Sequence, residues 1–303
     1  MVEKIELTFL GTGSTIPTKR RNHPAVLLKY KAENILFDCG EGTQRQFRKA
    51  SLNPCKITKI LISHWHGDHV LGLPGLLQTL NMNGYGKDLI IYGPRGSKKA
   101  FQEMVGPYFP HREMNYNIVV KEVKDGVAFD NDEFMIEAAG LDHGCPVLGY
   151  AFIVKEKKRL DKEKLAKLNI PNSPLVGELV KGKTVEIGGK KVDGKKLMYM
   201  EAQRKVAFVM DTQKCDGALK IAKDADILIS EATYSKEDQD ISDERGHMSS
   251  TDAASIAKKA KVKALVLIHL SQRYEGIPKV ILEEAKEVFA DVIIPEDLES
   301  VEL

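Results

Sequence analysis

The sequence predicts an α/β protein of four layers, αβ/βα: two mixed sheets packed face to face with helices outside, and one inserted arm. Two observations predict the layers. Both halves of the chain alternate short apolar runs with helix-like segments, and in both halves such runs end on charged or histidine residues. A third observation predicts the arm, because a lysine-rich stretch over 156–200 separates the two halves. With 303 residues, 43% of them hydrophobic, the chain can bury a substantial core.

In the first half, apolar runs bounded by glycine-rich turns predict strands over 5–10, 25–30, 34–38 and 57–63. A helix is expected over 71–80, a strand over 89–92 and a helix over 97–108. Strands follow over 117–123, 133–138 and 148–154. Beyond residue 200 the strands are 205–210, 225–230, 264–269 and 291–294, alternating with helices over 251–260 and 278–289. Ser249-Ser250-Thr251 offers a hydroxyl N-cap to the first of these helices.

The arm differs in composition. Over 155–200 there are 13 lysines and arginines against 6 acidic residues, a local balance of +7 within a chain whose net charge is only +2. Charge so concentrated is a candidate footprint for phosphates; few large apolar residues accompany it, so an independent fold is not expected. The chain is read as one domain over 1–303 interrupted by this arm.

The N-terminus carries Glu3 and Glu6 and lacks the basic start and apolar run of a signal peptide. No apolar stretch reaches the roughly 18–20 residues that span a bilayer. Cys39, Cys55, Cys145 and Cys215 are scattered, without a CxxC pair. A reducing, cytoplasmic setting without a membrane partner is expected.

The strongest chemical signal is Ser63-His64-Trp65-His66-Gly67-Asp68-His69, directly after the apolar run ITKILIS. Three imidazoles and a carboxylate in one loop are the donors that Zn²⁺ prefers, although Mn²⁺ or Fe²⁺ would also accept them. Downstream, His143, Asp211 and His269 each end an apolar run. Alone, His143 or His269 reads more often as a satisfied core residue and Asp211 as a helix or turn cap; after an HxHxDH loop, a shared metal cleft becomes the better reading.

HxHxDH with a later His, Asp and His resembles the metallo-β-lactamase superfamily over nearly the whole chain. The resemblance implies two Zn²⁺ per subunit. His64, His66, His143 and Asp211 would hold one, and Asp68, His69, Asp211 and His269 the other, with Asp211 shared. Three further features resemble the short form of the ribonuclease Z family. Pro17-Thr18-Lys19-Arg20-Arg21-Asn22 matches a PxKxRN loop, Gly246-His247-Met248-Ser249 matches a histidine motif before a helix, and Pro171 to Gly177 resembles the tip of an RNA-gripping arm. The chain departs from that pattern at Asn172-Ser173, at Ser230 and at Lys214, none of them an expected ligand.

The resemblance implies removal of the 3′ trailer from precursor tRNA by a homodimer, leaving a 3′-hydroxyl on the tRNA and a 5′-phosphate on the trailer. Asp68 would hold the nucleophilic water, His247 would protonate the leaving oxygen, and Glu231 would orient His247. Lys19, Arg21, Asn22, Arg273, Tyr274, Pro171, Pro174 and Gly177 are the expected RNA contacts. Two rivals remain: a small-molecule hydrolase on the same scaffold, for which a basic arm has no use, and a catalytically dead RNA-binding module, which would have lost ligands.

Overall fold

The run AVLLKY buries every side chain but Lys29, and ENILF beside it buries all but Glu33, so a hairpin in the interior of a sheet is the only way both can be solvated where they must be. The computed structural model describes residues 3–108, 114–168, 174–187 and 189–303. In chain order the first half runs β1 (Ile5–Gly11), β2 (Ala25–Tyr30), β3 (Glu33–Phe37), α1 (Thr43–Lys49), β4 (Lys59–Leu61), α2 (Gly67–Val70) and α3 (Leu73–Met82). It continues with β5 (Leu89–Gly93), α4 (Ser97–Val105), β6 (Ile118–Glu122), β7 (Gly126–Asp130), β8 (Phe134–Gly140) and β9 (Leu148–Val154).

The inserted stretch holds β10 (Lys157–Leu160), α5 (Lys162–Lys167), α6 (Pro174–Val180), β11 (Thr184–Ile187), β12 (Lys190–Asp193) and β13 (Met198–Glu201). The second half follows with β14 (Arg204–Val209), α7 (Asp216–Ala222), β15 (Ile227–Glu231), α8 (Gln239–Arg245) and α9 (Ser250–Ala260). It closes with β16 (Ala264–Ile268), α10 (Lys279–Val288), β17 (Val292–Ile293) and β18 (Ser300–Glu302).

Two seven-stranded sheets result, ordered β18-β1-β2-β3-β4-β5-β6 and β17-β16-β15-β14-β9-β8-β7. In the first, β3 to β6 run parallel, and in the second, β14 to β17 do. The inner faces meet through aromatic side chains. Phe37 stacks on Phe208 with ring centroids 3.3 Å apart, and Tyr30 meets Phe152 edge-on at 5.7 Å. Tyr150 is fully buried between them and places its hydroxyl on the carbonyl of Ile62, 2.9 Å away.

Helices cover the outer faces with apolar stripes. In α3, Leu73, Leu76, Leu77 and Leu80 are buried at i, i+3, i+4 and i+7. In α9, Ala253, Ala254, Ile256, Ala257 and Ala260 are buried, small residues that let the helix approach its sheet closely. Ser249 caps α9, its hydroxyl accepting from the amide of Asp252 at 3.3 Å.

The chain divides into two compact units, one of 1–130, 135–152 and 205–303, the other of 131–134 and 153–204. The smaller unit pairs β10 with β13 and β11 with β12, both antiparallel. Asp161 caps α5 through two amides at 3.1 Å, and among the described residues of this unit Phe134, Ile153, Val154, Leu179 and Leu197 are the buried apolar side chains. Lys167, Lys181, Lys183, Lys191, Lys195 and Lys196 are all exposed. Among the described residues, no helix is long and apolar enough to cross a membrane.

Candidate metal centre

Parallel strands put their carboxyl ends on the same edge of a sheet, and there the sequence stops being apolar. Asp38 follows β3, Ser63-His64 lies just beyond β4, Asp211 lies just beyond β14, Glu231 ends β15 and His269 follows β16. Asp38, Asp211 and His269 all hold left-handed backbone, with φ of 54°, 37° and 61°. Each such residue costs about 1–2 kcal/mol, a strain that aims its side chain away from the strand's own direction.

The expected ligands converge as two overlapping sets: His64, His66, His143 and Asp211; and Asp68, His69, Asp211 and His269. Asp211 sits between them. Its Oδ2 lies 3.7 Å from His64 Nε2 and 3.6 Å from His143 Nε2, while its Oδ1 lies 3.3 Å from His69 Nε2 and 3.1 Å from His269 Nε2. Asp68 Oδ2 is 3.5 Å from both His69 Nε2 and His269 Nε2.

The donor atoms fit a metal on a further ground. His64 Nε2, His69 Nε2, His269 Nε2 and Asp211 Oδ1 are all buried and have no hydrogen-bond partner. Buried polar atoms are normally satisfied, so four orphans spread over these two ligand sets mark places for cations. Charge agrees. Burial and the neighbouring imidazole of His69 hold His64 well below its usual value, keeping its lone pair available, and burial with His143 lowers His66. Burial opposes ionising Asp211, but His269 and His69 overcome it and keep this carboxyl well below the usual range.

The far nitrogen of four of the five ligand imidazoles is held. His69 Nδ1 donates to Asp38 Oδ2 at 2.7 Å, and His143 Nδ1 donates to the carbonyl of Gly246 at 2.7 Å. Ser63 Oγ is 3.0 Å from His64 Nδ1, and Thr233 Oγ1 is 2.8 Å from His269 Nδ1. Thr15 donates to Asp68 Oδ2 at 3.1 Å. Sequence reasoning passed over Asp38, Ser63, Thr233 and Thr15 as holders of this site. Asp38 had a readable signal, since it ends an apolar run as His269 does; the three hydroxyls had none.

Beside the cluster, His247 Nδ1 lies 3.1 Å from each oxygen of the fully buried Glu231. Burial disfavours the charged imidazolium, but the Glu231 carboxylate outweighs it and raises His247 to about 9. The tilted ring of His247 is 4.8 Å from that of His143.

The expected RNA contacts are scattered in character. Lys19 and Arg273 are exposed, as is Gly177 in α6, which Pro174 opens. Pro171 lies outside the described residues. Three residues depart from the expectation. Arg21 is buried, its Nη1 donating to Thr12 Oγ1 at 2.6 Å and to the carbonyl of Pro295 at 2.8 Å. Asn22 donates through Nδ2 to the carbonyl of Glu41 at 2.7 Å and through its amide to Asp297. Tyr274 is buried, its hydroxyl shared with Ser235 and Asp238, so its ring is no open stacking platform. Arg21 and Asn22 are bonded into the framework of the loop that carries Lys19.

Comparison with known proteins gives three kinds of likeness. A family model described as anti-Pycsar protein Apyc1 matches residues 5–104. Ribonuclease Z of Methanosarcina acetivorans is 38% identical over 303 residues, covering 99% of this chain and 98% of that protein. Ribonuclease Z of Bacillus subtilis is 37% identical over 302 residues, covering 97% of each. The crystal structure of the short form of human tRNase Z superposes with a TM-score of 0.70 at 29% identity over 98% of both chains. The metallo-β-lactamase fold protein YhfI from Bacillus subtilis superposes at 0.71 with 19% identity, covering 99% of this chain and 100% of that one, a likeness of fold alone.

Proposed function

The chain belongs to the ribonuclease Z family, and from that premise we propose that it is a zinc-dependent endoribonuclease removing the 3′ trailer of precursor tRNA. The observation that carries this reading is His247 paired with the buried Glu231 beside a complete two-set ligand cluster. A metal-binding scaffold alone would have no use for a charged imidazole beside its ligands.

His64, His66, His143 and Asp211 would hold one Zn²⁺, and Asp68, His69, Asp211 and His269 a second. Such a pair of ions supplies Lewis acidity, making water a nucleophile near neutral pH and neutralising charge on the phosphoryl oxygens. Asp68, which accepts a hydrogen bond from Thr15, would orient the attacking water. His247 carries the proton that the leaving O3′ needs, and Glu231 keeps it there. The products are a 3′-hydroxyl on the tRNA and a 5′-phosphate on the trailer.

Grip on the RNA would come from the exposed lysines of the smaller unit with Pro174 and Gly177, and in the larger unit from Lys19 and Arg273. Lysines spread along a surface suit phosphates, and so recognition by shape more than by base. We carry a homodimer as part of the same reading, with the arm of one subunit serving the site of the other.

Cleavage of an end-labelled precursor tRNA by the intact protein and by Asp68→Ala tests this, with bis-p-nitrophenyl phosphate as a small control. Loss of both activities in Asp68→Ala supports the reading. An intact protein that hydrolyses the ester but never cuts the precursor leaves a metallohydrolase and removes the ribonuclease.

A further inference from the structure

A ligand imidazole can offer one nitrogen to a metal only if its hydrogen is kept on the other, so whatever bonds the far nitrogen decides whether the near one is usable. In this site the hydrogens can be counted. A carboxylate only accepts, and a serine or threonine hydroxyl has a single hydrogen to give.

Thr233 Oγ1 lies 2.6 Å from Glu231 Oε2 and 2.8 Å from His269 Nδ1. Its one hydrogen goes to the carboxylate, so towards His269 it can only accept. His269 must then carry its hydrogen on Nδ1, leaving Nε2 bare, and Nε2 is one of the buried atoms without a partner. Ser63 repeats the arrangement in the other half of the fold. Its Oγ donates to Asp38 Oδ2 at 2.8 Å and lies 3.0 Å from His64 Nδ1, which must therefore donate to it. His64 Nε2 is likewise buried and bare.

We propose that Ser63 and Thr233 are positioning residues, each the middle of a carboxylate–hydroxyl–imidazole relay that locks the tautomer and ring angle of a metal ligand. The relays are Asp38–Ser63–His64 and Glu231–Thr233–His269, and the inference rests on the metal reading above. Each carboxylate also holds one imidazole directly: Asp38 holds His69 at 2.7 Å, and Glu231 holds His247 at 3.1 Å. Glu231 further accepts the amide of Thr212 at 2.6 Å, next to the shared ligand Asp211. It thus braces the acid and the metal cluster together. Exposure of Asp38, Ser63, Thr233 and Glu231 is 3%, 4%, 3% and 0%, so solvent does not stand in for a missing hydroxyl.

The test is zinc affinity, measured by competition with a chromophoric chelator on the full chain. Thr233→Val keeps the shape and removes the hydroxyl; Thr233→Ser keeps the hydroxyl; Ser63→Ala breaks the other relay. Thr233→Val and Ser63→Ala are each expected to weaken one of two zinc sites by roughly 10–100-fold, the usual cost of losing such a partner, with Thr233→Ser near the parent. Wild-type affinity in both Thr233→Val and Ser63→Ala would overturn the relays. A parent protein that never takes up two zinc ions would overturn the metal reading instead. Should Thr233→Val fail to fold, long-range ¹H–¹⁵N spectra of the zinc-free parent decide: hydrogen on Nδ1 of His64 and His269 supports the relays, and hydrogen on Nε2 of either removes that one.

Discussion

His247 Nδ1 stands 3.1 Å from both carboxylate oxygens of Glu231, and that carboxylate is completely buried. The imidazole is held in its charged form by a partner that solvent does not screen. In the proposed reaction, a proton donor held beside the ligand cluster would assist expulsion of the alkoxide.

Removing the donor should lower the rate without emptying the cluster. His247→Ala is expected to cut tRNA cleavage by about 10²–10⁴-fold, with zinc content unchanged on elemental analysis. A variant that cleaves like the parent would take the acid role away from His247.

The pH dependence follows from the direction of the shift. His247 is raised, so it is protonated at low pH and loses its proton as pH rises through its folded value; activity should fall along an alkaline limb. Glu231→Gln deletes the charge that sustains the imidazolium, so that limb should move to lower pH in a single-turnover profile. A limb that stays in place would assign it to another group.

Asp211 is the ligand that both sets share. Asp211→Ala should therefore reduce zinc uptake at both sites and abolish cleavage, whereas His66→Ala should affect one set only. Equal metal loss in the two variants, read by stoichiometric titration, would argue against a shared carboxylate.

Arg21 provides a contrast between bracing and binding. Its buried guanidinium holds Thr12 and the carbonyl of Pro295, so Arg21→Ala leaves buried acceptors unpaired. The expected cost is about 1–3 kcal/mol of stability, seen as a lowered Tm, with the salt dependence of tRNA binding unchanged. A salt slope that flattens with no loss of stability would restore Arg21 as a phosphate ligand.

The exposed lysines should behave oppositely. Replacing Lys195 and Lys196 by serine should weaken tRNA binding and lower the log–log salt slope by roughly 0.7–0.9 for each phosphate no longer neutralised, leaving hydrolysis of the small phosphodiester intact. No change in slope would move the RNA grip elsewhere.

Much of this protein was readable before folding was considered. The run Ser63 to His69 announces a metal loop because three imidazoles and a carboxylate occupy seven positions, a local pattern that needs no tertiary knowledge. Long apolar strands such as β9, and the alanine face of α9 behind Ser249, were legible because burial writes itself into residue type. Shorter polar elements were not. The helix α1, TQRQFRK, buries only Thr43, Gln46 and Phe47, and β18 is a three-residue edge strand, so neither carries a period. The site divides along the same line. Asp211, Glu231 and His269 stand 20 and 38 residues apart in the sequence, and only the parallel register of β14, β15 and β16 brings them to one edge. That Arg21 turns inward while Lys19 faces out, and that Thr233 stands between Glu231 and His269, follows from where neighbouring strands end. Residue type announces which atoms can bind a metal; only the packing of two sheets decides which hydrogen bonds leave those atoms free to do so.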